Sequence, residues 1–456
     1  MSTHRIILTT HLFFPDFFGG TETLVHDVAV ALKESGYSVV IVTGHPWDRQ
    51  SGFIDHFDEL DVDSLRVVRF NYQRASIGGS LNPMRDDYAN PVFEAGFEKL
   101  LEEFKPDIVH FHHFGRLSIK AIDACEARRI PALFTATDFW AVCPTQALLL
   151  SDGAICDGPI KGGANCLKHI TSISQPAWAS RLVNSVPIRT LGSAMNVLER
   201  IDKDIGGRVG VIQALAKRTA IIAQRFRLLR RIFVPTLHAQ TALQRNGIPG
   251  DKFRVLPFGL KDHGYTKRVR EKGEGNLTLG FIGQFLPHKG LHVLIEAISL
   301  LPADIPVQVN IYGKFPETET PYSQKLNLLS QHEKRVKFCG VFENTKIPIV
   351  LDEIDALVIP SLWHENMPLV SLSAQAAGCP LIASDIGGLS DIVEHDRNGL
   401  LFSPGSAAEL RDRILQLITD HDLLNRLSYA AMTPLNIDQY VNELKDEYRQ
   451  AIGDKQ

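Results

Sequence analysis

The sequence predicts an α/β protein with two doubly wound, Rossmann-like domains in series. Three observations lead there. Strand-like and helix-like segments alternate from residue 5 to about 140, and a second alternation runs from 277 through PLIAS at 380–384. Between them, residues 257–276 (PFGLKDHGYTKRVREKGEGN) are charged and glycine-rich, with no hydrophobic period. Such alternation is the pattern of a parallel sheet with helices on both faces.

Each element follows from its local pattern. RIILTT (5–10) reads as a strand, HLFFPDFFGGTE as a loop, TLVHDVAVALKESG as a helix and SVVIVT as the next strand. The helix carries Leu24, Val25, Val28, Ala29 and Leu32 at a spacing of three and four, and Gly36 stands where a left-handed helix end is expected. A helix near 91–104, strand DIVHFHH, helix LSIKAIDACEARR and strand PALFTATD continue the rhythm. Residues 143–230 interrupt it with cysteine-containing loops and long helical stretches, before strand RIFVP at 231–235. The second series is LTLGFIG, a helix from KGLHVLIEAISLL, VQVNIYG, a helix near 321–332, VKFCGVF, a short helix near 345–352, DALVIPS, a helix after Glu365, and PLIAS. NIDQYVNELKDEYRQAI reads as an amphipathic closing helix. The expected domains are therefore 1–256, with an insertion over about 143–230, and 277–435, joined by a linker at 257–276.

Bulk properties narrow the function. The 456 residues carry a net charge of −4, with 44% hydrophobic and 22% charged residues, so composition gives no argument for nucleic acid or an anionic membrane as partner. Neither a signal-peptide pattern nor an apolar run of about 18 residues is present, and a cytoplasmic location is expected. Six cysteines in a chain of this length do not form a disulfide framework.

Ligands of open α/β sheets bind beyond the carboxyl ends of the strands. Gly19 and Gly20 precede a helix there, so their backbone could approach an anion; a plain tight turn is the other reading. Lys289 opens a helix after the strand LTLGFIG. A cation is out of place at a helix N-terminus unless a phosphate lies between them, or unless the lysine simply faces solvent. Glu365 stands between the strand DALVIPS and a helix whose first amides are near residues 367–370. It is either a helix-end stabiliser or a carboxylate that binds a polyol while the amides hold a diphosphate.

With these segments in view, the chain resembles the retaining family-4 glycosyltransferases. The carriers are FFPDFFGGTETLVHDVAVALKESGYSVVIVT, DIVHFHHFG, FTATDFWAVCP, VPTLHAQTALQRNGIPGDKFRVLPFG, FIGQFLPHKGLHVLIEA and, most specific, WHENMPLVSLSAQAAGCPLIASDIGGLSDIVEHDRNGLLF. The resemblance implies the GT-B fold, two facing Rossmann-like domains with a central cleft, and a C-terminal helix, here about 436–452, that crosses back onto the first domain. It implies a hexosyltransferase-type enzyme that takes a nucleotide-diphosphate sugar as co-substrate, needs no metal or other cofactor, and stabilises the departing diphosphate electrostatically. Lys289 matches the family lysine. Gln284 stands where an arginine is usual, and it can donate hydrogen bonds but brings no charge. Gly283, Asn366, Met367, Pro368, Leu369 and Val370 would line the diphosphate with Gly19 and Gly20, and Glu365 would bind donor-sugar hydroxyls. The family's second glutamate, which holds the ribose, is replaced by Ser373, and the usual His-Asp pair is Thr137-Asp138. The three departures leave a second reading open, a nucleotide-sugar-binding protein with weak or no catalysis. A phosphorylase or sugar epimerase of the same fold is a third.

Other features carry less. Cys143, Cys156, Cys166 and His169 form a candidate zinc set without a familiar spacing, the alternative being reduced thiols in a loop. Asp61-Val62-Asp63 has the D-x-D form but precedes an ordinary strand, and is read as chance. The stretch AKRTAIIAQRFRLLRRIF mixes basic and apolar residues. It would suit either the inner face of an anionic membrane, and so a lipid-linked acceptor, or a basic face over the core. The expected partners are a nucleotide sugar and a glycan or lipid-linked acceptor, in cell-surface polysaccharide synthesis.

Overall fold

The computed structural model describes residues 4–47, 55–73, 82–271 and 275–453. The chain forms two compact units, 1–256 with 437–456, and 257–436. The first holds strands β1 (Arg5–Thr10), β2 (Ser38–Trp47), β3 (Phe57–Val62), β4 (Leu65–Gln73), β5 (Ile108–Phe111), β6 (Ala132–Thr135), β7 (Arg231–Val234) and β8 (Phe253–Val255). Their spatial order is β3-β4-β2-β1-β5-β6-β7-β8, with only the β3–β4 pair antiparallel. The helix Gly20–Glu34 lays Leu24, Val25, Val28, Ala29 and Leu32 onto the sheet, each nearly or fully inaccessible. The closing helix Ile437–Gly453 belongs to this unit. It buries Tyr440, Leu444 and Tyr448, and its Glu447 pairs with Arg231 and Arg254.

The second unit holds β9 (Leu277–Ile282), β10 (Val307–Tyr312), β11 (Val336–Gly340), β12 (Ala356–Ile359), β13 (Leu381–Ser384) and β14 (Gly399–Phe402). All are parallel, in the order β11-β10-β9-β12-β13-β14. Leu279, Val309, Val358 and Ile382 join Leu294, Ile295 and Ile298 of the helix Leu291–Ser299 in one core.

Several expectations need correction. Residues 257–271 are not a free linker. Arg270 is fully buried and donates to the carbonyls of Leu351 (2.6 Å), Ala377 (2.7 Å) and Ile354 (3.0 Å), so the segment is bound into the second unit. Carbonyl acceptors can satisfy a guanidinium's donors without any sequence signature. Residues 272–274 of that stretch lie outside the described residues. Of the two readings of the basic stretch AKRTAIIAQRFRLLRRIF, a basic face over the core is the one found. AKRTAIIAQRF forms the end of the helix Gly207–Phe226, where Leu215, Ala216, Ile222 and Phe226 are buried, and Arg218 stacks over the Trp140 ring and bonds its carbonyl. Asp61-Val62-Asp63 closes β3 into a turn: Asp61 accepts the Ser64 N–H at 2.8 Å, and Asp63 pairs with His26.

Candidate functional site

In each sheet the first strand has a neighbour reached from each chain direction. β1 lies between β2 and β5, and β9 between β10 and β12. Loops diverge at such switch points and leave a place for ligands at the strand ends. Each unit has a polar cluster there.

In the second unit, β9 runs into the turn Pro287–Lys289 and then Gly290. Gly290 has φ +71°, and a Cβ on it would stand 1.7 Å from the Pro360 carbonyl oxygen, so only glycine lets this loop lie against the end of β12. The Leu362 N–H donates to the His288 carbonyl at 2.8 Å and joins the two loops. Lys289 Nζ therefore reaches Glu365 Oε1 at 2.7 Å. The same oxygen accepts from Trp363 Nε1 at 2.7 Å and Ser361 Oγ at 2.8 Å. The Lys289 ammonium also sits 4.9 Å from the Trp363 ring centre. Burial, the largest influence, would raise the Glu365 carboxyl, but the Lys289 charge and the three donors outweigh it and hold it below its usual range. His288, packed on Trp363, is pushed down to about 4 by burial and by Lys289. Behind Glu365, the Gly388 N–H donates to its carbonyl at 2.7 Å. A Cβ at Gly388 would fall 1.7 Å from the Asn366 carbonyl oxygen. Glu365 is thus no simple helix cap, since its Oε1 is spent on a cation and two neutral donors.

The other expected residues of this unit fall as follows. Gln284 is exposed, whereas Asn366 is buried. Gly283 donates its N–H to the Tyr312 carbonyl and closes the end of β9. The Met367 side chain is buried, and its sulfur accepts the Phe258 N–H at 3.3 Å, fastening the segment that precedes β9. Pro368 precedes the helix Leu369–Ala376, whose start has no side-chain cap, so Leu369 and Val370 offer the first amides. Ser373 is buried; its hydroxyl donates to the Leu369 carbonyl at 3.2 Å and accepts from Tyr265 Oη at 2.9 Å. The tyrosine phenol stands beside the position where the family resemblance implies a carboxylate.

In the first unit, Gly19 and Gly20 do not form an open anion cradle. Gly19 is the N-cap residue, and the carboxyl of Glu22, three positions on, folds back over it beside backbone N–H groups that act to lower its pKa. A Cβ on Gly19 would meet Glu22 Oε2 at 2.3 Å, so glycine leaves the room this carboxyl occupies. Burial pushes the Glu22 carboxyl above its usual range. Glu22 lies 3.8 Å from His11, which follows β1, and the His11 ring stands 4.0 Å from that of His113, which follows β5. The Gly115 N–H donates to His113 Nδ1 at 2.8 Å, which assigns the ring proton to Nε2 and directs it to Asp138 Oδ2 at 3.0 Å. Asp138 also accepts the Trp140 N–H at 2.7 Å. Burial would raise the Asp138 carboxyl, but His113 outweighs it and holds the group low. His11 is pushed down to about 3 by burial and by His113, and its buried Nδ1 has no partner among the described residues. Thr137 turns its hydroxyl to the His112 carbonyl at 3.1 Å. The cluster therefore combines a protonatable carboxylate, a neutral imidazole and an oriented His–Asp pair, a set that can bind hydroxyls and accept a proton.

The cysteine set does not converge on a metal. Cys143 faces Thr145, while Cys156 bonds the Gly158 backbone and Asn165, and Cys166 bonds Asn165. Burial raises the Cys156 and Cys166 thiols, the latter to about 12. His169 is pushed down by burial. Among the described residues no three His, Cys, Asp or Glu are placed to hold an ion.

Sequence reading missed His11, Glu22, His113, Ser361, Trp363, Tyr265 and Gly388. The GGTE spacing, an N-cap glycine with Glu three residues later, was a usable sign for Glu22. The others depend on tertiary neighbours.

Comparison with known proteins follows the same lines. Residues 265–433 match the family described as glycosyl transferases group 1, and residues 19–158 match the glycosyl transferase 4-like domain. The glycogen synthase of Mycobacterium tuberculosis is 24% identical over 443 residues, 95% of this chain and 91% of that protein. The D-inositol 3-phosphate glycosyltransferase of Corynebacterium urealyticum is 29% identical over 169 residues, 36% of this chain and 39% of its own. Among solved structures, sucrose-phosphate synthase from Thermosynechococcus elongatus has a TM-score of 0.65 at 16% identity, over 99% of this chain and 100% of its own. Anabaena Alr3699/HepE in complex with UDP and glucose has a TM-score of 0.60 at 17% identity, over 97% and 98%. At these identities the structures speak for the fold, which is GT-B.

Proposed function

We propose a specific reaction for this chain, which belongs to the group 1 glycosyltransferases: it moves a sugar from a nucleotide-diphosphate sugar to a hydroxyl of a glycan or lipid-linked glycan, with retention of anomeric configuration, in the assembly of cell-surface polysaccharide. The observation that carries the reading is the buried Lys289–Glu365 pair at the β9/β12 switch point, beside an uncapped helix start. In this reading the pair opens when donor binds. Lys289, which keeps 26% side-chain exposure, exchanges the carboxylate for a phosphate oxygen. Glu365, still held by Ser361 and Trp363, is then free to accept sugar hydroxyls. The amides of Leu369 and Val370 and the side chain of Gln284 complete the diphosphate contacts, without a metal. The bond from the anomeric carbon to the diphosphate oxygen breaks and one to the acceptor oxygen forms on the same face. The departing diphosphate takes the acceptor's proton.

The first unit's cluster supports acceptor binding. Glu22, His11 and Asp138 present hydroxyl-binding groups at the β1/β5 switch point, and Thr137 contributes only through the backbone it fixes. The nucleotide sugar named with a solved neighbour, UDP-glucose in an Anabaena Alr3699/HepE structure, supports the donor class.

The test is a thermal-shift panel of UDP-, ADP- and GDP-sugars without added metal, followed by transfer assays with the stabilising donor. One donor should raise the melting temperature by mass action, and Glu365→Ala should weaken both that shift and turnover. Turnover that survives Glu365→Ala unchanged would show the site to be wrongly assigned.

A further inference from the structure

The insertion of the first unit has an outer surface that the proposed reaction does not use. Residues 159–198 contain Lys161, Lys168, Arg181 and Arg189 and not one Asp or Glu. They form the helices Ala164–Ser174, Ala177–Ser185 and Ile188–Glu199, the last of which ends on an acid one residue beyond the acid-free stretch. The inner side is accounted for: Cys166, Leu167 and Met195 are buried with Leu215 and Ala216 in a small core of their own. The outer side is not. Ile173, Trp178 and Leu182 are 57, 62 and 61% exposed, and the helix Ala177–Ser185 buries no residue at all. Trp178 and Leu182 are one turn apart and share a helix face, with Arg181 exposed beside them. The first two helices are tied as a hairpin by Ser172–Ser180 at 3.2 Å, Asn184–Ser172 at 3.0 Å and Lys168 to the Asn184 carbonyl at 2.9 Å. The apolar side chains are therefore held outward by a fixed scaffold.

We propose that this helical hairpin is an interfacial anchor for an anionic lipid surface. Charge selects the occupant. A surface that is cationic and apolar, with no acidic residue in forty, is complementary to anionic phospholipid headgroups over acyl chains. A second copy of the same patch would bring like charge against like charge. Tryptophan prefers the headgroup boundary, and the arginine stems lie along apolar surface while their heads stay in the polar layer. The contact lies on the membrane and does not span it, since no helix among the described residues is long and apolar enough to cross. The inference is independent of the nucleotide-sugar reading and places the membrane-facing element in the hairpin rather than in AKRTAIIAQRF, where Ala216, Ile222 and Phe226 are buried.

The experiment uses the full chain with phosphatidylcholine vesicles, with and without phosphatidylglycerol. Co-sedimentation should occur with the anionic vesicles, fall with salt, and be far weaker with the neutral ones. Arg181→Glu with Arg189→Glu should lower the affinity on the order of tenfold or more, and Trp178→Ser with Leu182→Ser should abolish binding. Trp178→Phe should retain binding but lose the blue shift of tryptophan emission that vesicles induce, a readout that does not depend on the harsher variants folding. Absence of binding by the native chain, equal binding to neutral vesicles, or unchanged binding by the charge-reversed variant would overturn the proposal. So would a native dimer that becomes monomeric in the serine variant without lipid, which would identify a second copy as the occupant.

Discussion

Lys289→Met separates the electrostatic part of the Lys289–Glu365 contact from its packing. Methionine keeps most of the length and the contact with the Trp363 ring, and removes the charge. Glu365 would keep two neutral donors, Ser361 and Trp363, on an oxygen that now accepts three. Breaking a buried pair costs about 3–5 kcal/mol. Lys289 retains 26% side-chain exposure against 7% for Glu365, so solvent screens the pair and about 3 kcal/mol is expected. For a unit the size of residues 257–436, that is about 6–12 °C in the melting temperature of its transition. The pH dependence fixes the sign. In the native protein the Glu365 carboxyl is held below its unfolded value of 4.5, so its contribution is present above that pH and is lost as pH falls through the folded value. In the variant, burial opposed only by the Ser361 and Trp363 donors should move the folded value upward, so the deficit is greatest at neutral to alkaline pH and shrinks as pH falls. Adding Glu365→Gln should restore most of the loss, because an amide oxygen still accepts from Ser361 and Trp363 and no lone charge remains. Differential scanning calorimetry of the native chain, both single variants and the double variant closes the cycle. A cost under about 1 kcal/mol for Lys289→Met, additive with Glu365→Gln, would refute the account, since a surface pair behaves that way.

Gly290→Ala should destabilise the second unit by on the order of 3 kcal/mol or more, because the new Cβ would strike the Pro360 carbonyl and the residue would be held at φ +71°. Gly36→Ala, at φ +87° in open space, should cost roughly 1 kcal/mol, and equal melting losses for the two would refute the packing argument. His110 and His112 are fully buried and neutral, His112 pushed down to about 3 and His110 also low, both first by burial. Below pH 6.5 the unfolded chain binds their protons and the native one does not, so stability falls with pH by up to about 1.4 kcal/mol per unit for each. Because neither ring nitrogen of His112 has a partner among the described residues, His112→Phe should flatten that fall in urea unfolding between pH 7.5 and 5.5 (a window set by the usual His range of about 6.5); a native profile already flat there would sink the idea. Tyr265→Phe removes the donor to Ser373 and, in the proposed reaction, should weaken nucleotide-diphosphate binding by about fivefold with little change in melting temperature, as read by calorimetric titration. Unchanged affinity would remove Tyr265 from the donor site.

The strand alternation was readable because buried parallel strands are apolar throughout, and the helix Gly20–Glu34 announces its face by spacing alone. Lys289 and Glu365 were also readable, each as a charge placed oddly near a helix start. Their pairing was not, because it depends on two loops, 76 residues apart, meeting over Gly290 and Gly388. The 257–271 segment misled because polarity marks loops on average, while Arg270 is satisfied by three carbonyls that no composition reveals. At the glycine pair the Glu22 carboxyl folds over Gly19, a neighbour that the pair alone does not announce. DIVHFHH reads as a strand and is one up to Phe111, and its last histidine acts only once β1 and β6 place His11 and Asp138 around it.

The same neighbours bear on the three departures from the family pattern. At Ser373 the missing carboxylate is met by the Tyr265 phenol, and at Thr137 the missing imidazole has His113 and His11 nearby, with Asp138 retained. Chemistry lost at a sequence position is in both cases present beside it, which favours a working enzyme over a decayed one. Gln284 is different: it is exposed, and its side chain is a neutral amide where the family has an arginine. If the proposed reaction is right, the diphosphate's developing charge then rests on Lys289 and the amides of Leu369 and Val370, and a neutral hydrogen bond from glutamine supplies the rest. Gln284→Arg should therefore accelerate transfer or tighten donor binding, while Gln284→Ala should cost less than Lys289→Met. The reverse order would mean that the diphosphate is not where the Lys289–Glu365 pair places it.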